Sequence, residues 1–312
     1  MKKISFCIPC YKSEQTLPKV VEEIRETMSG LSDRYVYEII LVNDASPDAT
    51  FIKIKELVDK YPNITGIDLA KNFGQHAALM AGFAHVSGDI LVCLDDDGQT
   101  PPNEVTKLLD KIEEGEDVVY AKYDHKKHSL FRNFGSFLNE KMTEFMLGKP
   151  KELYVSSYFA ARRFIVDEML KYDKSYPYVI GLVLRSTKRI ANVSIDHRER
   201  EVGKSGYTFG KLLGLWMNGF TAFSVKPLRI ATWSGIFCAV LGFLYGIYTI
   251  IKKLVLGDVV AVGFSALMSA VMFLGGMILF MLGMLGEYIG RMYMGMNNAP
   301  QYVIREVVGK DE

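Results

Sequence analysis

"ILVCLDDDGQTPP", residues 90–102, runs from apolar residues straight into Asp95, Asp96 and Asp97. A short apolar run bounded by turn residues reads as a buried strand. Adjacent carboxylates repel, so three of them at a strand tip need a reason to be there. The flanking elements supply one. Ile4 to Pro9 is a short apolar strand, and Glu14 to Met28 has helical spacing with Leu17, Val20, Val21, Ile24 and Met28 on one side. Tyr37 to Val42 is a second strand, closed by the turn Asn43-Asp44-Ala45-Ser46-Pro47. Thr50 to Tyr61 reads as helix, Ile64 to Leu69 as strand, Gln75 to His85 as helix, Val105 to Glu113 as helix and Asp117 to Ala121 as strand. Strands alternating with helices predict an α/β fold, a mostly parallel, Rossmann-like sheet covered on both faces. Ligands of such sheets sit beyond the carboxyl ends of the strands. Asp44 and the acid triplet both fall there, bordering one crevice.

If the extended geometry persists through residues 94–97, Asp95 and Asp97 face one side and Asp96 the other. Two carboxylates so placed suit Mg²⁺ or Mn²⁺, held together with substrate phosphates. The alternative is a solvated acidic turn ahead of the helix near Pro102; spacing alone does not decide between them. There is no G-x-G-x-x-G after the first strand and no G-x-x-x-x-G-K-[ST], so neither the dinucleotide fingerprint nor the P-loop is present. Cys7 and Cys10 form a C-x-x-C spacing, but the pair straddles a strand end with Pro between them, which reads as packing rather than redox chemistry. The five histidines show no metal-ligand spacing; His76 follows the Asn72-Phe73-Gly74 loop and could approach a ligand there.

The 312 residues carry 37 Lys and Arg against 36 Asp and Glu, a balance that argues against a general nucleic-acid binder. Hydrophobic residues make up 49%, concentrated beyond Arg229. Ile230 to Ile251 and Val259 to Gly286 hold no charged residue, and each is long enough to cross a hydrocarbon core. Gly235, Ala239, Gly242, Ala266, Ala270, Gly275 and Gly276 suit close helix contact in lipid. Lys211, Lys226, Arg229, Arg291 and Arg305 flank the pair outside, against Lys252 and Lys253 between the spans; the bias places both termini in the cytoplasm. The N-terminal stretch "MKKISFCIPCYK" does not read as a cleaved signal peptide. The expected organisation is a catalytic domain over 1–208, an interfacial amphipathic segment over 209–228, two membrane helices over 229–286 and a cytoplasmic tail over 287–312. Leu130 to Leu147 has the same interfacial character as Phe209 to Ser224.

"CIPCYKSEQTL" (7–17), "EIILVNDASPDAT" (38–50), "KNFGQHAALMAGFAHVSGD" (71–89) and "LDDDGQTPP" (94–102) resemble, in order, the motifs of family 2 glycosyltransferases of the GT-A fold. "REREVGKSGYTF" (198–209), "LGEYIGRMY" (285–293) and the two spans resemble the polyprenyl-phosphate branch, nearest to its undecaprenyl-phosphate aminoarabinose transferases. The resemblance covers nearly the whole chain. It implies that Pro9, Tyr11 and Glu14 line a nucleotide pocket and that Asp44 accepts hydrogen bonds from base or ribose. Asp95 and Asp97 take the place of the D-x-D motif, Asp97 on the metal and Asp95 on ribose or the metal-bound diphosphate. Gln99 falls near the transferred phosphates. Arg200 meets the leaving diphosphate or the acceptor phosphate, and Arg132 lies beside the lipid phosphate. Lys204 and Ser205 belong to a later motif, usually R-x-x-G-x-S-K, in which Gly206 stands where Lys is usual; either Lys204 substitutes or phosphate binding relies more on Arg132. Ser156 and Ser157 stand where some relatives place an Asp, removing one candidate base.

The implied reaction is one-step inverting transfer of a sugar from a nucleotide sugar, UDP-linked as in the nearest relatives, to undecaprenyl or another polyprenyl phosphate. The implied setting is a multi-pass protein of the bacterial plasma membrane, serving cell-envelope glycan or lipid modification. Some relatives are tetramers, and the small residues in the spans permit such a homo-oligomer. Transfer to a polysaccharide is the second reading, although the Q-x-x-R-W motif of processive synthases is missing. A non-catalytic nucleotide-sugar or lipid-binding membrane protein is the third.

Overall fold

The computed structural model describes residues 1–123, 144, 148–196, 226–256, 264–297 and 299–309. The chain divides into two compact units, residues 1–219 with 298–312, and residues 220–297.

The first unit is built on an eight-stranded sheet of order β7-β5-β6-β4-β1-β2-β3-β8. Its strands are β1 (Lys2–Cys10), β2 (Tyr35–Asn43), β3 (Ile64–Leu69), β4 (Ile90–Cys93), β5 (Val118–Tyr123), β6 (Phe159–Arg162), β7 (Ile190–Ile195) and β8 (Ile304–Val308). β6 runs antiparallel to both β4 and β5, and β8 runs antiparallel to β3; the other pairings are parallel. The mostly parallel sheet expected from the alternation of elements is therefore present, as a mixed sheet. Its helices are α1 (Leu17–Ser29), α2 (Thr50–Lys60), α3 (Gln75–Phe83), α4 (Val105–Glu113), α5 (Arg163–Leu170) and α6 (Val179–Ser186). The five apolar positions that mark α1 in the sequence are the five it buries. Fully burying side chains of this kind is worth about 1.5–3 kcal/mol each.

β1 sits between β2 and β4, parallel to both, so the winding reverses on either side of it. That reversal splays the loops after β1 and β4 and opens a crevice at their carboxyl ends. Cys7 and Cys10 lie on opposite faces of β1. Cys7 lies under α3, where a Cβ on Gly82 would collide with its sulfur, whereas Cys10 joins the core cluster of α1. Both thiols are free and buried, in keeping with a packing role.

At the opposite, amino end of the sheet, Glu38 gathers the chain. Its carboxylate accepts from Ser5 Oγ at 2.6 Å, from the Ser87 backbone N–H at 2.6 Å and from Ser87 Oγ, and pairs with Lys3 Nζ at 2.6 Å. Burial works to raise its pKa, but Lys3, Ser5 and Ser87 together outweigh it and hold the carboxyl below its usual range. A depressed carboxyl adds stability above its unfolded pKa, and that stability is lost as pH falls through the folded value. Glu38→Gln is therefore expected to cost about 1–3 kcal/mol at pH 7. The gap to the parent protein closes below about pH 4, as chemical denaturation at the two pH values would reveal.

The second unit contains two long helices, α7 (Lys226–Leu256) and α8 (Phe264–Met296). A helix of α8's length spans about 50 Å. The two touch, with Cys238 Sγ 3.9 Å from Met277 Sδ. Among the described residues, one stretch is long and apolar enough to cross a membrane, Phe273–Gly290, with a mean hydropathy of 1.6 and none of it buried. α7 contributes a shorter apolar stretch, Thr232–Gly242. Trp233, Phe237, Leu279 and Phe280 are each more than 60% exposed. Apolar surface on this scale marks a face made for lipid or another chain.

Where the sequence suggests one tail over 287–312, residues 287–296 continue α8 and β8 adds an edge to the sheet of the first unit.

Candidate active site

The crevice at the carboxyl ends of β1, β2 and β4 holds most of the residues singled out from the sequence. Arg132, Arg200, Lys204 and Ser205 lie outside the described residues, as do His125, His128, His197 and nearly all of both interfacial segments.

β4 ends at Cys93, so the acid triplet is not extended. The alternation that would set Asp95 and Asp97 on one side does not apply. A turn separates the three carboxylates, and Gly98, at φ +75°, lets the chain reverse. Each acid has a different partner. Asp95 Oδ1 accepts from Gln75 Nε2 at 3.1 Å, and its Oδ2 accepts from Ser157 Oγ. Asp96 Oδ2 accepts from the Tyr11 backbone N–H at 3.0 Å, tying the β4 loop to the β1 loop. Asp97 Oδ1 accepts from the Gln99 backbone N–H at 3.1 Å. Burial raises the Asp96 pKa, and neighbouring Asp97 adds to the rise. Thr100 Oγ closes the loop below, accepting from the Asp95 backbone N–H at 3.3 Å. Asp97 opens onto a cleft of about 40 Å³ shared with Gln15, Lys19 and Glu23 at the start of α1. Tyr123 faces the acids from β5, its phenol pKa raised by burial and then by the Asp95 charge.

Two more acids anchor the neighbouring loops. Asp44 is buried, and its carboxylate accepts from the backbone N–H groups of Phe73 at 2.7 Å and Gly74 at 2.9 Å, just ahead of α3. A carboxylate at a helix start answers the orphan donors there. Burial nevertheless raises its pKa. Glu14 Oε2 accepts from the Ala49 backbone N–H at 2.9 Å and so caps α2. The family resemblance implies that Glu14 and Asp44 border a nucleotide. Both carboxylates accept from the chain's own backbone, and each of their oxygens can accept again. Pro9 lies in β1, partly buried and in register with Val42, and Tyr11 stands 48% exposed at the lip just beyond it. Lys12 and Ala45 hold positive φ, +59° and +49°, on the two loops that meet here. Strained backbone of this kind concentrates at functional sites.

His76 stacks edge-on to Tyr178 with ring centres 5.0 Å apart, and its Nδ1 is buried without a hydrogen-bond partner. Burial alone drops its pKa to about 4, so the imidazole is neutral near pH 7. Gln75 and Ser157, both on Asp95, escape a reading of the sequence alone. Ser157 stands out there only for the Asp it replaces, yet it occupies that place beside the site. Gln75 opens α3 directly after the Asn72-Phe73-Gly74 loop.

Among the described residues no three His, Cys, Asp or Glu side chains converge as a metal cage. Two carboxylates on one turn suit a hard divalent ion that completes its shell with substrate phosphates and water. Asp96 is tied to the Tyr11 backbone, which leaves Asp95 and Asp97 as the other two carboxylates of this loop.

Residues 5–170 match the glycosyl transferase family 2, and residues 226–292 match the GtrB C-terminal hairpin. Undecaprenyl-phosphate 4-deoxy-4-formamido-L-arabinose transferase of Klebsiella pneumoniae (strain 342) is 33% identical over 315 aligned residues, covering 100% of this chain and 95% of the relative. The protein of the same name from Proteus mirabilis is 35% identical, covering 99% and 95%. Among solved structures, glucosyl-3-phosphoglycerate synthase from Mycobacterium tuberculosis superposes with a TM-score of 0.52 at 20% identity, over 70% of this chain and 78% of that one; its crystals hold Mn²⁺, UDP-glucose and phosphoglyceric acid. At that identity the likeness speaks for the fold.

Proposed function

The chain belongs to glycosyl transferase family 2, and its residues 226–292 match the GtrB C-terminal hairpin; from that membership we propose a metal-dependent, inverting transfer of a sugar from a UDP-sugar to undecaprenyl or a related polyprenyl phosphate. The observation that carries the reading is the placement of Asp95 and Asp97 at the winding reversal of a GT-A sheet, in a chain that also holds a long, exposed apolar helix. The full-length relatives are named for an undecaprenyl-phosphate acceptor, and a structural neighbour holds Mn²⁺ and UDP-glucose. The proposed setting is the cytoplasmic face of a bacterial plasma membrane, with α7 and α8 as a two-helix hairpin.

The chemistry follows from the acceptor. A lipid phosphate oxygen is already ionised near neutral pH, so it attacks the sugar carbon without a protein base. The new C–O bond forms as the bond to the diphosphate breaks on the opposite side. The electron pair leaves with the nucleoside diphosphate, and the sugar carbon inverts with no covalent sugar–enzyme intermediate. Ser156 and Ser157 in place of an Asp are compatible with that route. Asp95 and Asp97 would hold Mg²⁺ or Mn²⁺, whose chemistry when bound is to neutralise the charge developing on the departing diphosphate. Gln75 and Ser157 hold Asp95 in one orientation, and the Tyr11–Asp96 bond sets the width of the crevice. Tyr11, Pro9 and Glu14 border the nucleotide, and Gln99 the phosphates.

The test is direct. Protein in bilayer discs is incubated with a panel of radiolabelled nucleotide sugars, polyprenyl phosphate and Mg²⁺ or Mn²⁺. Label is expected in the lipid phase, lost on chelation with EDTA and regained on adding metal. Label in polymer, or donor binding with no turnover, would overturn the reading.

A further inference from the structure

β8 follows the two long helices in sequence, yet it hydrogen-bonds to β3 beside the crevice. Near its start, Arg305 Nη1 lies 3.2 Å from Asp68 Oδ2, and Nη2 donates to the Ala70 carbonyl at 2.8 Å. The guanidinium thus spans the register shift between Asp68 and Leu69, where a bulge re-aims the strand. Asp68 is buried, its side chain 6% exposed, and among the described residues Arg305 is its ion-pair partner. Asp68 Oδ1 accepts from Asn43 Nδ2 at 2.7 Å. Asn43, also buried, uses its Oδ1 to accept from the Ser46 backbone N–H at 3.2 Å. Ser46 Oγ in turn accepts from the Lys12 backbone N–H at 3.2 Å. The carboxylate fixes which way the Asn43 amide points, because only the NH₂ end can donate to it. The relay ends on Lys12 and on the turn that contains Ala45, the two loop residues with positive φ.

We infer that Arg305 is a positioning residue for the nucleotide pocket, acting through Asp68 and Asn43 on the loops that carry Tyr11 and Asp44. The inference rests on the proposed reading that these loops border a nucleotide. Without the guanidinium, Asp68 keeps a buried charge with no counter-ion, and such a charge is costly. Water or a shifted Asn43 must then answer it, and Ser46 loses its fixed acceptor. Lys55 offers a control. It pairs with Glu306 of the same strand at 2.8 Å, on exposed surface and outside the relay.

Four full-length variants in bilayer discs test this: R305A, R305K, K55A and the double variant D68N/R305A. UDP affinity is measured by calorimetry, KM separately for donor and lipid phosphate, and amide exchange by mass spectrometry. R305A is expected to weaken UDP binding about tenfold and to raise donor KM by a similar factor. The KM for lipid phosphate stays unchanged, and exchange quickens at Lys12 and Ser46. R305K retains part of the affinity. D68N/R305A regains most of it, because the new side-chain amide accepts from Asn43 without needing a cation. K55A matches the parent. The inference is overturned if R305A binds UDP and protects Ser46 as the parent does, or if K55A loses as much as R305A. A parent protein that binds no UDP would sink the donor reading instead, and exchange at Ser46 would still decide the relay.

Discussion

Asp97→Asn is expected to lower kcat for lipid glycosylation by about 10²–10³-fold. The substitution is conservative in shape. Asparagine keeps an oxygen to accept from the Gln99 backbone N–H, so the turn around Gly98 survives. On the proposed reading, what is lost is one unit of charge that would face the metal and diphosphate, a term that acts on the transition state more than on the resting complex. Thermal unfolding should barely move, and the metal concentration needed for half-maximal rate should rise. Asp95→Asn is the instructive contrast. Its two oxygens serve Gln75 and Ser157, and an amide can accept from only one of them with the same geometry. That variant should lose activity and stability together. If Asp97→Asn transfers sugar at the parental rate, the proposed metal pair is wrong.

The second large effect is expected at Asp44. Asp44→Ala strips the carboxylate from two backbone N–H groups ahead of α3 and should cost about 3 kcal/mol, read as a lower midpoint in urea. Activity should suffer as well. The start of α3 presents Gln75 to Asp95, so a loosened helix start frees the D-x-D loop. Asp44→Asn should fall between alanine and the parent, since one acceptor remains and the amide NH₂ opposes a backbone N–H. A fully stable, fully active Asp44→Ala would contradict this account.

Much of the first unit is legible in the sequence. The alternation from Ile4 to Ala121 marks β1 to β5 and α1 to α4 because each element has one clear apolar face or a short buried run. β6 escapes because four residues, "FAAR", carry too little pattern, and its antiparallel insertion between β4 and β5 is a tertiary fact. β8 escapes because a five-residue strand after two long apolar helices looks like a tail. The site divides in the same way. Asp44, Asp95 and Asp97 can be found because they follow strands. The hydrogen bonds of Glu14 and Asp44 to helix starts cannot, since the capped backbone lies 35 residues on for Glu14 and 29 and 30 for Asp44. The triplet's geometry depends on where β4 stops, one residue earlier than the apolar run suggests. Asn43, Asp68 and Arg305 look like ordinary polar residues until the sheet brings them together.

The return of β8 also bears on how the protein is made. β3 cannot be covered on its outer side until residues 304–308 have been synthesised, after both long helices. Through that interval a nascent chain carries an uncapped strand, open to pairing with any other extended segment. The sheet of the first unit is thus complete only once both helices have been translated, and a chain truncated between them would leave β3 as an open edge.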